Sequence, residues 1–124
     1  MHDLEDAGAV ALLVLGYGAV LFALPWCTVL LHEFAHAAAV VLCGGRVLVG
    51  HVGSGVRVLP LRAFGARWEL RPRPTHGAVK FALRPGTRFR AAAIFVSLAG
   101  PLMSTAIAGA LVVFAVQGPD PAAA

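Results

Sequence analysis

The pattern His32-Glu33-Phe34-Ala35-His36 lies inside a long apolar run, and this placement restricts the possible folds more than any other feature. The run from Gly8 to Cys43 contains no Lys, Arg or Asp, and its only glutamate and histidines are those of the pattern. A charged side chain at the centre of a bilayer costs roughly 2.5–3.5 kcal/mol on insertion scales. Because this cost disfavours His32, Glu33 and His36 in a membrane helix, their presence indicates a functional site there.

The spacing of these residues indicates which chemistry they serve. Histidines four residues apart lie on one helix face, where both imidazoles can reach one tetrahedral cation. Glu33 is turned by about 100° from His32, so it stays off the metal but can take a proton from a water activated there. We therefore predict a zinc site with His32 and His36 as ligands and Glu33 as the catalytic base. One alternative is a chance match, which is rare inside a membrane-type segment because all three residues are disfavoured there. The other is buried histidines satisfied by hydrogen bonds, which explain one of the three residues but not the set.

Length and composition favour one membrane-embedded unit over residues 1–124. The chain is 59% hydrophobic and only 13% charged, which is atypical of a soluble domain. Residues 8–43 and 91–117 are each long enough to cross a bilayer core of about 30 Å. Pro25 interrupts the first run, and we expect it to kink one long helix rather than to turn the chain back.

The basic residues predict an orientation. All ten Lys and Arg residues lie between Arg46 and Arg90, whereas both flanking segments carry acids and no base. The positive-inside rule then places segment 46–90 in the cytoplasm and both termini outside a bacterial cell membrane. Because these bases flank membrane helices, we expect membrane lipid as their partner and no nucleic acid.

Segment 46–90 has the composition of a small sheet at the membrane interface. Short alternating runs separated by glycine and proline predict strands over 46–52, 56–61, 67–71 and 77–83, with Pro72 and Pro74 breaking the pairing. The expected fold class is therefore an α+β membrane protein, in which a small antiparallel β-sheet is inserted between two membrane helices.

The second apolar run carries small residues on one helix face. They follow in steps of three and four, at Ala93, Ser97, Gly100, Ser104 and Ala108. Such a stripe allows a neighbouring helix to approach closely. Pro101 also removes the helical donor to the Ser97 carbonyl, at about the same membrane depth as the histidines. The stripe is either a generic packing seam or a polar wall that faces the metal.

Taken together, these features resemble the site-2 protease family of intramembrane zinc metalloproteases, especially its small bacterial members. The similarity lies in residues 32–36, in Gly44-Gly45-Arg46-Val47 and in Ser97-Leu98-Ala99-Gly100-Pro101-Leu102, and it extends over about residues 20–115. It implies zinc ligation by His32 and His36, with Glu33 as general base. It also implies substrate or oxyanion binding near Gly100, Pro101 and Ser104, and hydrolysis of peptide bonds in or near a transmembrane segment of a protein substrate.

Two departures from the family pattern leave alternatives open. Ser104 stands where the family usually has asparagine, and the family's third zinc ligand, an aspartate on a later helix, has no counterpart; Asp120 does not match its context. His51 and His76 could reach the metal only if the sheet dips into the membrane. We expect a metalloendopeptidase, or its amino-terminal core, that an additional helix or oligomerisation completes. The alternatives are a non-proteolytic relative that binds membrane substrates or a partner helix, and a module in which the histidines only pack.

Overall fold

The expected order of helix, sheet and helix is confirmed. The computed structural model describes residues 2–86 and 88–118, so that Asp120 lies outside the described residues. Its elements are α1 (His2–Leu42), β1 (Arg46–Ser54), β2 (Leu59–Ala63), β3 (Ala66–Leu70), β4 (Arg73–Ala82) and α2 (Phe89–Val116). By length and composition, both helices are long and apolar enough to cross a membrane.

α1 continues through Pro25 as a single helix, as expected, and begins six residues before Gly8. Its end is fixed by glycine. The Gly45 amide donates to the Val40 carbonyl at 2.9 Å and the Gly44 amide to the Val41 carbonyl at 3.0 Å. Gly44 has a φ of 75°, the left-handed conformation that this type of helix end requires. The chain can therefore turn at once from α1 into β1.

The prediction of an antiparallel sheet is wrong, because the four strands form a mixed sheet in the order β2-β3-β1-β4. β1 pairs antiparallel with β4, and β2 with β3, but β1 and β3 run parallel. The cause is the β2–β3 hairpin, whose two-residue turn at Phe64 (φ 54°) and Gly65 (φ 71°) follows the twist of its strands. The link after β1 carries the chain to the outer edge, so the second hairpin strand meets β1 in parallel.

β4 begins at Arg73, earlier than expected, and it includes Pro74. Because β4 lies at an edge of the sheet, a residue without an amide hydrogen is tolerated there. Pro74 was expected to break the pairing. It does not end β4, but the pairing with β1 is irregular there, because Arg73 pairs with Ser54 and the next paired residue of β4 is Gly77. The strand therefore extends for 10 residues beside α1.

The core joins the sheet to the part of α1 that carries the histidines. The fully buried Trp68 lies over Gly50, where even a Cβ would fall 2.5 Å from the indole Cζ3. The Trp68 indole donates a hydrogen bond to the Ala63 carbonyl at 3.0 Å, and Phe34 packs edge-on against it with ring centroids 4.7 Å apart. Further core residues are Ala37, Ala39, Val40, Val47, Val52, Ala66, Leu70 and Val96.

We expect Trp68→Ala to lower the free energy of unfolding by about 3–5 kcal/mol, because it empties the centre of this core. The measurement is a denaturant titration in detergent that follows the fluorescence of Trp26, whose indole donates to the Arg71 carbonyl at 3.0 Å and so reports contact between sheet and helix. Val56→Ala is the control, since Val56 is 97% exposed. Equal stability of the two variants would contradict this description of the core.

Candidate metal centre

The structure brings His32 and His36 together with their Nε2 atoms 3.2 Å apart. The rings are nearly perpendicular, at 77°, with centroids 4.9 Å apart. Two nitrogen ligands bound at about 2.0–2.1 Å to a tetrahedral zinc ion stand about 3.3–3.4 Å from each other. The spacing of the two nitrogen atoms therefore suits a shared zinc ion.

The other ring nitrogens are held by α2. Nδ1 of His36 lies 2.6 Å from the Val96 carbonyl oxygen, and Nδ1 of His32 lies 2.7 Å from Ser104 Oγ. A carbonyl oxygen can only accept, so His36 carries its proton on Nδ1 and leaves the Nε2 lone pair free. Metal-binding histidines usually donate their second nitrogen to such a partner, which fixes the ring and its tautomer.

Gly100 is the reason that α2 can come so close to the two histidines. A Cβ at this position would overlap Nε2 of His36 and would lie 2.5 Å from Nε2 of His32. Only a hydrogen atom fits between the α2 backbone and the rings. The small-residue stripe is thus in contact with the histidines at its centre.

Glu33 lies on the neighbouring face of α1 and is covered by β4. It is only 7% exposed, and a Cβ on Gly77 would fall 2.9 Å from its Oε1. Within residues 2–86 and 88–118, the salt bridges are those of Glu69 with His51 and Arg71, so Glu33 forms no salt bridge there. Its carboxylate remains available to accept a proton.

Two clefts meet at Glu33 and His32. The larger, of about 440 Å³, lies between the histidines and the edge strand β4, from Gly77 to Phe81. The smaller, of about 230 Å³, is lined by Ser104 and also by His76. The two histidines and the carboxylate therefore face space in which a peptide can lie.

Of the other residues considered from the sequence, His76 lines the smaller cleft, whereas Pro101 and His51 lie apart from the two histidines. Pro101 is exposed and lines neither cleft, and His51 is 3.3 Å from Glu69 on the sheet. In the part of the chain that the structure describes, no group of three or more His, Cys, Asp or Glu side chains is placed to hold a metal. The ligand roles of His32 and His36 thus remain predictions.

Two contributors to the site were not predicted from the sequence, namely Gly77 and the Val96 carbonyl. A glycine that opens an otherwise β-type run is a weak indication of a close approach. A backbone carbonyl leaves no signal in the sequence. The only indication that Val96 contributes to the site is its position one helical turn before Gly100.

We expect Gly100→Ala to reduce zinc affinity at least 10-fold, because the added methyl group overlaps the ligand atoms. Gly109→Ala is the matched control on the same helix, since a Cβ there meets nothing within 4 Å. Metal content and chelator competition of the purified protein in detergent provide the measurement. Equal zinc binding by the two variants would show that α2 does not approach the histidines in this way.

Comparison with known proteins agrees with this geometry. None of the curated proteins matches the chain. The sequence profile of peptidase family M50 matches residues 19–120, which is most of the chain and includes both histidines, Glu33 and the stripe on α2. Members of this family are in general integral membrane zinc metalloproteases. The chain belongs to peptidase family M50, the site-2 protease family.

Proposed function

We propose that the chain forms the core of an intramembrane zinc metalloendopeptidase, which hydrolyses peptide bonds in or near the transmembrane segments of its substrates. The observation that carries this proposal is the pair of Nε2 atoms 3.2 Å apart beside a buried carboxylate. Family membership supports the same chemistry. His32 and His36 hold the metal, and Glu33 acts as the base.

The proposed chemistry is divided between the metal ion and Glu33. A zinc ion held by His32 and His36 would supply a Lewis acid, which polarises a peptide carbonyl and lowers the pKa of bound water. Glu33 takes the proton of the attacking water and passes it to the leaving amine. Its position on the next helix face keeps the carboxylate off the metal and open to the clefts.

β4 offers a binding surface for the substrate. A helix hides its peptide bonds, so a transmembrane substrate must unwind before hydrolysis. Among the described residues, β4 is an edge strand with an unpaired side, and its residues 77–79 and 81 line the larger cleft beside Glu33. An extended substrate segment can add to this edge through main-chain hydrogen bonds, which places its backbone along the site.

A catalytic zinc ion usually takes three protein ligands and water. We infer that the third ligand comes from an additional membrane helix or from a second copy of the chain. The alternative function is that of a non-proteolytic relative, which binds membrane substrates or a partner helix. It is favoured by the finding that only two ligands come together within the described residues.

The proposed location is a bacterial cell membrane, with α1 and α2 as the spanning helices and the sheet at the cytoplasmic face. This orientation rests on the ten basic residues between Arg46 and Arg90. Arginines of this segment would also contact anionic lipid headgroups. Substrates would therefore approach within the membrane and meet the site from the side of the helices.

We expect Glu33→Gln to lower cleavage at least about 100-fold while zinc remains bound, because an amide cannot accept the proton of water. Cleavage is measured on a tagged single-span membrane protein with a glycine-rich transmembrane segment, co-reconstituted with the protease. Glu69→Gln is the control for loss of a carboxylate away from the site, and His36→Ala for loss of metal.

Each outcome has a definite meaning. Equal cleavage by Glu33→Gln and the unchanged chain would remove Glu33 from the chemistry. Stoichiometric zinc with no cleavage of the reporter would show that this chain alone is not a protease, as expected of the non-proteolytic relative and equally of a core that lacks its additional helix. Zinc in neither the unchanged chain nor His36→Ala would contradict the metal centre.

The orientation is tested at Val56, the exposed residue after β1. We expect Val56→Cys, with Cys27 and Cys43 changed to alanine, to react with a membrane-impermeant maleimide only after the cells are opened. The physical reason is the cytoplasmic position of the basic segment. Labelling of intact cells would overturn the proposed topology.

A further inference from the structure

The hydroxyl group of Ser104 has a different kind of hydrogen-bond partner from the hydroxyl groups of Thr28 and Thr105. Hydroxyl groups in helices commonly bond to the carbonyl four residues earlier. Thr28 bonds to the Leu24 carbonyl at 2.8 Å and Thr105 to the Pro101 carbonyl at 2.9 Å in this way. Ser104 Oγ instead crosses to α1 and lies 2.7 Å from Nδ1 of His32.

The hydrogen-bond partners of the two histidines determine which ring nitrogen carries the proton in the metal-free structure. Because His36 donates from Nδ1 to the Val96 carbonyl, its Nε2 can only accept. The contact of 3.2 Å between the two Nε2 atoms is then a hydrogen bond only if His32 carries its proton on Nε2. In that state Nδ1 of His32 accepts a hydrogen bond, and the Ser104 hydroxyl donates it.

A metal at the Nε2 atoms requires the opposite tautomer of His32. Nε2 must offer its lone pair, so the proton of the neutral ring moves to Nδ1. The Nδ1–H group of His32 then donates a hydrogen bond to Ser104 Oγ, which accepts it after the hydroxyl has rotated about its C–O bond. The same side chain thus satisfies His32 with and without metal.

We propose that Ser104 is a positioning residue that holds His32 in the ring orientation and tautomer needed for metal binding. This proposal rests on the proposed metalloprotease function and specifies how its site is built. It assigns Ser104 a role distinct from oxyanion or substrate binding, because its hydroxyl group is hydrogen-bonded to His32, a proposed metal ligand. His36 takes its support from a backbone carbonyl, so His32 alone depends on a side chain of α2.

The test compares Ser104→Ala with Thr105→Ala in the full chain in detergent. Each variant loses one hydroxyl from adjacent positions of α2, but only the first loses a contact to α1. Zinc affinity is measured by competition with a chelator. We expect about a 10–100-fold loss for Ser104→Ala, the usual effect of removing such a partner, and less than a threefold change for Thr105→Ala.

A second readout follows the tautomer itself. In ¹⁵N-histidine NMR spectra of the zinc-bound protein, the Nδ1 proton of His32 should be slow to exchange, and it should exchange rapidly in Ser104→Ala. Unchanged affinity and unchanged exchange in Ser104→Ala would overturn the proposal. Equal losses in both hydroxyl variants would overturn it as well, since they would indicate a general effect on α2.

Failure of the metalloprotease function gives a different result. If the unchanged chain binds no zinc, the metal centre is absent. The histidine spectra of the metal-free protein then show whether Ser104 forms its hydrogen bond with His32. Altered His32 signals in Ser104→Ala but not in Thr105→Ala would support the hold on His32. Unaltered signals would overturn it.

Discussion

The contact between Gly100 and the two histidines is the constraint on which the site depends. Val96, Gly100 and Ser104 follow in steps of four and therefore share one face of α2. The missing side chain in the middle lets the helix reach the rings, and the residues one turn before and after it engage their Nδ1 atoms. The sequence analysis treated the small-residue stripe of α2 as either a packing seam or a polar wall. In the structure the same face of α2 provides both the close packing and the polar contacts. Close approach is what allows the polar contacts to form.

The sheet has a corresponding effect on the carboxylate. The Trp68 ring and Phe34 hold it against α1, and β4 then lies directly over Glu33 at Gly77. Without this strand, Glu33 would lie on the open surface of α1. The histidines and Glu33 are thus positioned by different elements, α2 and β4, on neighbouring faces of one helix. The zinc binding and the proton transfer that we propose can consequently be disturbed separately.

Local patterns in the sequence predicted the helices and the proximity of His32 and His36, because helical spacing alone fixes which residues share a face. They did not predict the parallel pairing of β1 and β3, since alternation within a strand carries no information about strand order. The contact of Gly77 with Glu33 joins residues from distant elements and depends on how the sheet docks. The sequence indicated Ser104 as a site residue. Its hydrogen-bond partner, His32, depends on how far α1 and α2 are shifted along each other, which the sequence does not show.

The burial of Glu33 bears on the choice between a protease and a binding module. A carboxylate that is only 7% exposed and forms no salt bridge among the described residues loses hydration without the compensation of an ion pair. A module that only packs or binds a helix gains nothing from this cost, and an alanine or leucine at position 33 would serve it better. A general base needs such a place, close to the metal ligands and open to the clefts on either side of it. The position of this one side chain therefore favours catalysis.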